Sequence, residues 1–170
     1  LLQDIAHLIR KNGGHSLVVG GSVRGLILGQ APHELDMEVR GFNTDHLAQL
    51  LLPKYAAEQV GKSFGVLKLK GFPVEIALPR TENKNGTGHK GFSIEVDPNL
   101  PFEQAAHRRD YTINAIGLNP LTGQILDPFN GQQDLREKIL RHVSPAFSED
   151  PLRVLRGMQF IARFHLKPSP

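Results

Sequence analysis

The sequence of 170 residues contains no cysteine and no tryptophan, and only 6% of its residues are aromatic. Without cysteine the chain forms neither a disulfide framework nor a thiolate metal site, which fits a reducing compartment. No apolar run approaches the ~18 residues that a membrane-spanning helix needs, and no signal-peptide pattern opens the chain. We therefore expect a cytoplasmic protein that has no membrane partner.

A strong charge of one sign is also missing, since 20 Lys and Arg residues face 17 Asp and Glu residues and the net charge is +3. This balance permits contact with a nucleic acid but does not require it. The basic residues accumulate toward the C-terminus, which predicts either a solvated helix face or a surface for RNA or a triphosphate: Arg136, Lys138, Arg141, Arg153, Arg156, Arg163 and Lys167.

The periodic segments of the first half of the chain predict a mixture of helices and strands. The predicted helices are 2–13, 21–29 and 44–52, the last with Thr44 as its N-cap, and the predicted strands are 15–20, 35–41, 66–71 and 73–78. Residues 81–91 contain no apolar side chain and three glycines, which predicts a mobile loop.

The second half continues the mixed order. The predicted helices are 102–109, 132–140 and 151–164, and the predicted short strands are 113–119 and 124–127. We expect an α/β or α+β sheet domain over residues 1–142. The last helix then predicts the start of a separate helical unit over residues 143–170, of which the chain holds only the first part.

A glycine turn precedes a pair of carboxylates. Gly20 and Gly21 leave the apolar strand 15–20, and Asp36 and Glu38 lie on the next apolar strand. Because side chains alternate along a strand, the two carboxylates share a face. The turn presents backbone N–H groups suited to phosphate, and paired carboxylates suit Mg²⁺. This order of features indicates nucleotidyl transfer.

Four motifs resemble those of one family. They are GGSVRG followed by DME at 20–25 and 36–38, RRDYTINA at 108–115, DPFNGQQDL at 127–135 and EDPLRVLR at 149–156. Over nearly its whole length the chain resembles the head domain of the class II tRNA nucleotidyltransferase (CCA-adding enzyme) and bacterial poly(A) polymerase family. The resemblance implies a polymerase-β-like fold, in which helices flank a mixed sheet and a helical neck follows.

The resemblance also implies a role for each matching residue. Asp36 and Glu38 would be catalytic ligands of Mg²⁺. The nucleotide-binding residues would be Gly20, Gly21, Ser22 and Arg24 at the triphosphate, Arg109, Asp110 and Asn114 near phosphates and ribose, Asp150 and Arg153 at the base edge, and Arg156 beside Arg153. On a helix, Asp150 and Arg153 would be neighbours, so that an acceptor and a forked donor could match a base.

Glu75 lies on the predicted strand 73–78 and is a candidate third catalytic carboxylate. The alternative is a strand-edge acid that pairs with Lys68 or Lys70, and the sequence does not separate the two.

Three positions depart from the family pattern. Gly25 replaces the Asp that usually ends the first motif, Glu38 replaces the second Asp of the carboxylate pair, and Gln159 stands where many relatives carry Arg. Glu remains a hard oxygen ligand for Mg²⁺, although it is one methylene longer.

The function that these motifs predict is template-independent addition of CMP and AMP to tRNA 3′ ends, with ATP and CTP as substrates and tRNA or another RNA 3′ end as partner. One alternative is an A-adding enzyme or a poly(A) polymerase, although residues 39–47 lack the basic, aromatic run that we associate with the latter. The other is a degenerate module that binds a nucleotide or RNA without turnover.

Overall fold

The computed structural model describes residues 1–60, 65–84 and 92–169. Its α-helices are α1 (Leu2–Lys11), α2 (Gly21–Ile27), α3 (Thr44–Leu51), α4 (Phe102–His107), α5 (Gly131–Glu137) and α6 (Leu152–Phe164). Its first strands are β1 (His15–Val19), β2 (Leu35–Arg40), β3 (Ala57–Val60), β4 (Val66–Leu69), β5 (Val74–Ala77), β6 (Arg80–Lys84) and β7 (Phe92–Val96). The later strands are β8 (Gly117–Leu118), β9 (Ile125–Leu126), β10 (Ile139–Leu140) and β11 (Lys167–Pro168).

Within these described residues, seven strands form a mixed sheet in the order β3-β4-β5-β2-β1-β8-β9. Strand β1 runs antiparallel to β2, and the last residue of β1, Val19, pairs with Asp36. Strand β5 runs parallel to β2 on its other side, with Glu75 in register with Asp36. This pairing puts the glycine turn that follows β1 beside Asp36.

Apolar side chains pack on the sheet in separate clusters. One cluster packs α1 and α3 against β2, β4 and β5, and it includes Ile9, Met37, Leu51 and Ile76. Burial of each such side chain stabilises the fold by about 1.5–3 kcal/mol. These fully buried side chains hold β2 and β5 in place, and the polar groups lie at the ends of these strands.

A second cluster joins the sheet domain to α6. Tyr111 and Leu166 are buried in it, and Phe160 and Phe164 of α6 pack against it. The phenol of Tyr111 donates to the carbonyl of Arg153 at 2.9 Å. Strand β11, which follows α6, pairs with β10. The division of the chain at residue 142 stays a prediction, but α6 packs firmly on the residues before it.

The predicted helices and strands of the first half end one or two residues early in the structure, and two further predictions there are wrong. Helix α3 is capped by Asn43 and not by Thr44, because the Asn43 side chain accepts from the backbone N–H of His46 at 2.8 Å. The loop predicted over 81–91 is in part a strand, since β6 pairs with β7. Strand pairing depends on backbone hydrogen bonds, so a segment without apolar side chains can still form one. Residues 85–91 lie outside the described residues.

All five predicted elements of the second half are shorter in the structure, and two of them need a physical explanation. The strand predicted at 113–119 begins as a 3-10 helix at Thr112–Asn114, and only Gly117–Leu118 is extended. The helix predicted at 132–140 ends at Glu137, because Lys138 adopts a left-handed conformation with φ of 57°. The chain then enters β10. No helix in the described part of the chain is long and apolar enough to span a membrane.

Candidate active site

A polar cavity of about 510 Å³ opens between the glycine turn, residues 108–114 and α6. Six arginines and three aspartates line it: Arg24, Arg80, Arg108, Arg109, Arg153, Arg156, Asp36, Asp110 and Asp150. The other lining residues are Gly20, Gly21, Asn114 and Phe160. The excess of guanidinium groups suits a polyanionic ligand such as a triphosphate, because guanidinium forms paired hydrogen bonds with phosphate oxygens.

The conformation of the glycine turn requires glycine at its first position. Gly20 has φ of 71° and ψ of −138°, which side-chain-bearing residues rarely adopt. A Cβ atom here would lie 3.0 Å from Nη1 of Arg109 and 3.6 Å from Oδ2 of Asp36. The bare backbone therefore lets the turn, a guanidinium and a carboxylate meet at one end of the cavity, which we call the phosphate end.

Ser22 fixes this turn through its hydroxyl. The hydroxyl donates to the carbonyl of Glu34 at 3.0 Å and accepts from the backbone N–H of Asp36 at 3.1 Å. It is buried and does not line the arginine-rich cavity. The contact of Ser22 with a triphosphate stays a prediction, while its bonds tie α2 to the start of β2.

Asp36 and Glu38 share a face of β2 but have different surroundings. Asp36 lines the cavity, and burial raises the pKa of its carboxyl, with further increases from Glu75 and Glu34 and an opposing effect of Arg109. Glu38 is only 4% exposed and does not line the cavity. One oxygen of Glu38 accepts from Nη2 of Arg40, and the other lies 4.0 Å from Nη2 of Arg109.

These surroundings decide how well the pair fits a divalent cation. Asp36 fits by donor type and position, because a partly buried carboxylate is a hard oxygen donor that gains from a nearby cation. Glu38 fits by donor type, but arginines face both of its oxygens. Among the described residues no group of three or more His, Asp or Glu side chains is close enough to hold a metal ion.

Glu75 lies directly beside Asp36 across the β2–β5 pairing. Its carboxylate forms an ion pair with the ammonium of Lys68 at 2.9 Å, and Lys70 pairs instead with Glu58. The structure thus shows the pairing with Lys68, and a catalytic role for Glu75 stays a prediction.

The segment 108–114 brings its predicted residues into the cavity. Arg109 donates to the carbonyl of Asn114 at 3.4 Å. Burial lowers the pKa of the Arg109 guanidinium, and neighbouring Arg108 lowers it further, whereas the carboxylates of Glu38, Asp36 and Asp110 raise it. Arginine keeps its charge in proteins, so Arg109 remains a desolvated cation at the phosphate end.

Asp110 directs one carboxylate oxygen into its own segment and the other toward α6. Oδ1 accepts from the backbone N–H of Tyr111 at 2.8 Å and from the amide of Asn114 at 2.9 Å. Oδ2 lies 3.0 Å from Nε of Arg156, but the alignment is not that of a hydrogen bond. Oδ2 is therefore a buried acceptor that lacks an aligned donor, at the edge of the cavity.

The other end of the cavity, which we call the base end, is formed by Asp150, Arg153 and Arg156 together with Asp110. Asp150 precedes α6 in an extended conformation, and its carboxylate accepts from the backbone N–H of Leu152 at 3.0 Å. The expectation that Asp150 lies on a helix with Arg153 is wrong, because α6 begins at Leu152. The two side chains still line the same cavity.

Arg153 is buried, and backbone carbonyls fix its guanidinium. Nη1 donates to the carbonyl of Ala146 at 3.2 Å, and Nη2 donates to the carbonyl of Arg108 at 2.9 Å. A guanidinium has five N–H donors, so these two bonds leave others for a ligand.

Sequence reasoning missed some of the lining residues. Arg80 is the first residue of β6, and none of the four motifs contains it. Arg108 is the first residue of the RRD motif, and Phe160 lies on α6 one turn after Arg156. Their positions relative to the predicted site residues could therefore have identified both.

A glycine turn lies beside a carboxylate on a strand of the mixed sheet, beneath an arginine-lined cavity. These features define the class of the protein, which is a nucleotidyltransferase head domain with a polymerase-β-like fold. Residues 16–141 match the Poly A polymerase head domain family, and the chain belongs to this family. This match confirms the predicted family and fold class.

Relatives in sequence are multifunctional CCA proteins. The chain is 48% identical over 153 residues to that of Nitrosococcus oceani, an alignment covering 90% of this chain and 36% of the relative. It is 45% identical over 148 residues to that of Xylella fastidiosa (strain M23), covering 87% of this chain and 34% of the relative. The chain thus spans about a third of the length of these relatives.

Solved structures agree with this assignment. The Bacillus stearothermophilus CCA-adding enzyme in complex with CTP matches 99% of this chain and 40% of its own, with a TM-score of 0.82 and 28% identity. A tRNA nucleotidyltransferase complexed with a primer tRNA and an incoming ATP analog matches 97% of this chain and 46% of its own, with a TM-score of 0.77 and 29% identity.

Proposed function

We propose that this chain is the nucleotide-binding and catalytic head of a template-independent RNA nucleotidyltransferase that adds CMP and AMP to tRNA 3′ ends from CTP and ATP. The observation that carries the proposal is that residues of three of the four motifs line one cavity. Gly20 and Asp36 come from the first motif, Asp110 from the second, and Asp150 and Arg153 from the fourth. The names of the relatives, which are multifunctional CCA proteins, support the same substrate class.

The triphosphate would lie at the phosphate end, against Gly20, Gly21 and Arg109. Arg109 is a desolvated cation, and its Nη1 lies 3.0 Å from the position that a Cβ atom would take on Gly20. Charge-assisted hydrogen bonds to phosphate are strong in such surroundings because little water competes for them.

Members of the family generally use divalent metal ions, and we propose Mg²⁺ for this chain. Asp36 would hold it, with Glu38 as the second ligand. The bound ion supplies charge neutralisation and Lewis-acid activation at the reacting phosphate. In the reaction, the RNA 3′-oxygen forms a bond with the α-phosphorus, the bond to pyrophosphate breaks, and the 3′-hydroxyl proton is released.

The ribose and base would lie at the base end. The free acceptor position on Oδ2 of Asp110 suits a ribose hydroxyl, which would satisfy a buried oxygen that lacks an aligned donor. The Asp150 carboxylate and the remaining N–H donors of Arg153 offer an acceptor and donors to a base edge. Since two backbone carbonyls fix Arg153, its orientation is set before a nucleotide binds.

The test is incubation of the protein with tRNA that lacks its 3′ CCA, labelled CTP and ATP, and Mg²⁺, followed by sequencing of the RNA 3′ ends. We expect added C and A residues, and loss of incorporation for Asp36→Ala and Glu38→Ala. Incorporation that survives in both variants would contradict the assignment of the metal ligands.

The same assay separates the alternatives. With ATP alone, a single added residue indicates an A-adding enzyme and long tails indicate a poly(A) polymerase. Arginines that face both oxygens of Glu38 favour, in their own right, a module that binds nucleotides without turnover. Saturable CTP binding without Mg²⁺-dependent release of pyrophosphate would support a binding module without turnover. Cytoplasmic location stays a prediction.

A further inference from the structure

The predicted triphosphate ligand Arg24 has an unusual environment. It is buried, and Nη1 of its guanidinium donates to the side-chain oxygen of Asn114. Its central carbon lies 4.8 Å from the ring centre of Phe160 and 4.8 Å from that of Phe164. Both rings belong to α6, whereas Arg24 belongs to α2.

Two aromatic rings on one guanidinium form a strong, orientation-dependent contact. A cation near an aromatic ring is attracted by the ring quadrupole, and the attraction is greatest where water is excluded. Burial lowers the pKa of Arg24, and so does the nearby charge of Arg163, which agrees with a cation held away from water. A planar guanidinium can present a flat face to an aromatic ring, whereas the ammonium of lysine cannot.

The position of Arg24 links the two ends of the cavity. Its backbone N–H donates to the carbonyl of Gly20 at 3.2 Å, so it belongs to the first turn after the phosphate end. Phe160 and Phe164 belong to the helix that carries Arg153 at the base end. A displacement of this contact would move one end of the cavity relative to the other.

We propose that Arg24 is a positioning residue, which holds α6 and the base-end residues in register with the glycine turn, while phosphate contact is made by Arg109. This inference rests on the proposed function, because its consequence concerns a bound nucleotide. Arg24 would fix the orientation of the base relative to the triphosphate. It predicts that Arg24 affects recognition of the nucleoside and not of phosphate alone.

The experiment compares Arg24→Lys and Phe164→Leu with wild type. Phe164 does not line the cavity, so its truncation removes no ligand contact. Phe129→Leu is the matched control, because Phe129 packs in a different cluster, away from Arg24. Amide hydrogen exchange of α6 without nucleotide is measured first, and then the affinities for CTP and for inorganic tripolyphosphate with Mg²⁺.

We expect faster exchange in α6 for both test variants and no change for the control. We also expect CTP affinity to fall about tenfold in both, with tripolyphosphate affinity within about twofold of wild type. The double variant should be little worse than either single one, because both remove the same contact.

Other outcomes overturn the inference. Equal losses of CTP and tripolyphosphate affinity in Arg24→Lys, with Phe164→Leu unchanged, would make Arg24 a phosphate ligand. Faster exchange in α6 without any loss of CTP affinity would make the contact structural only. A wild-type chain that binds neither CTP nor ATP would instead contradict the proposed function, while the exchange data would still decide whether Arg24 holds α6.

Discussion

The phosphate end and the base end of the cavity are built from different parts of the chain. Most of the phosphate end comes from Gly20 to Asp36, where antiparallel backbone pairing between β1 and β2 holds it together, and Arg109 completes it. The base end joins residues 108–114 to α6, about forty residues later, through side-chain bonds to backbone carbonyls. The phosphate end is therefore mostly local in sequence, whereas the base end depends on how α6 is packed.

This difference separates chemistry from selectivity. Changes at the phosphate end should alter the handling of every nucleotide equally. Changes at the base end should alter discrimination between nucleotides, or between a nucleotide and free tripolyphosphate. The following variants test that division.

The largest effect is expected for Asp36→Asn. Loss of the carboxylate that lines the cavity should lower nucleotidyl transfer by about a thousandfold with CTP and ATP alike, because several kcal/mol of transition-state stabilisation depends on the held cation. Single-turnover incorporation into tRNA measures it. A residual rate within tenfold of wild type would contradict the role of Asp36.

The same substitution should stabilise the nucleotide-free fold at neutral pH. The pKa of Asp36 is raised on folding, so its neutral form contributes stability that is fully present below the unfolded pKa and is lost as pH rises through the folded pKa. Asn cannot ionise. The free energy of unfolding of Asp36→Asn should therefore exceed that of wild type by an amount that grows as the pH rises above about 4. Urea unfolding at several pH values checks this, and an advantage that grows toward acid would refute it.

Gly20→Ala should have the next largest effect. The positive φ at Gly20 costs any other residue about 1–3 kcal/mol, and the new Cβ would also approach Nη1 of Arg109 at 3.0 Å. We expect a lower melting temperature and a similar loss of affinity for CTP and tripolyphosphate. Gly29→Ala is the control for positive φ, since it has φ of 70° with nothing near its Cβ position. If both variants lose ligand affinity equally, crowding at Arg109 is not the cause.

Tyr111→Phe tests the base end with a smaller change. It removes only the hydrogen bond to the carbonyl of Arg153, which is worth about 0.5–1.5 kcal/mol. We expect CTP affinity to fall by roughly fivefold while tripolyphosphate affinity is unchanged. A parallel loss of both affinities would show that the two ends are not independent.

Glu75→Gln should have the smallest effect. Glu75 is half-exposed and paired with Lys68, and ion pairs in contact with solvent contribute little. We expect nucleotidyl transfer within about threefold of wild type. A loss comparable with that of Asp36→Asn would establish Glu75 as the third catalytic carboxylate.

Much of the phosphate end could be predicted from the sequence because its signals are local. The apolar strands, the Gly-Gly turn and the alternation that puts Asp36 and Glu38 on one face all lie within about twenty residues. The alternation could not show that Arg40, two residues further along the same face, pairs with Glu38. That pair depends on side-chain rotamers and burial.

The base end could be predicted only as a set of residues. Sequence motifs named Asp110, Asp150 and Arg153, but the spacing placed Asp150 on a helix that in fact begins later. The role of Arg24 depends on contacts with rings more than 130 residues away in sequence, and no local pattern contains that information. The sequence did not predict strand β6 for a similar reason. Pairing with β7 makes this segment extended, and its own composition does not indicate a strand.

The most direct test of the central claim is an equilibrium titration of this chain with CTP, in the presence and absence of Mg²⁺, for wild type and Asp36→Asn. We expect saturable binding that Mg²⁺ tightens in wild type, and no effect of Mg²⁺ in the variant. Equal affinity with and without Mg²⁺ in wild type, or an undiminished effect of Mg²⁺ in Asp36→Asn, would contradict a nucleotide site built around Asp36.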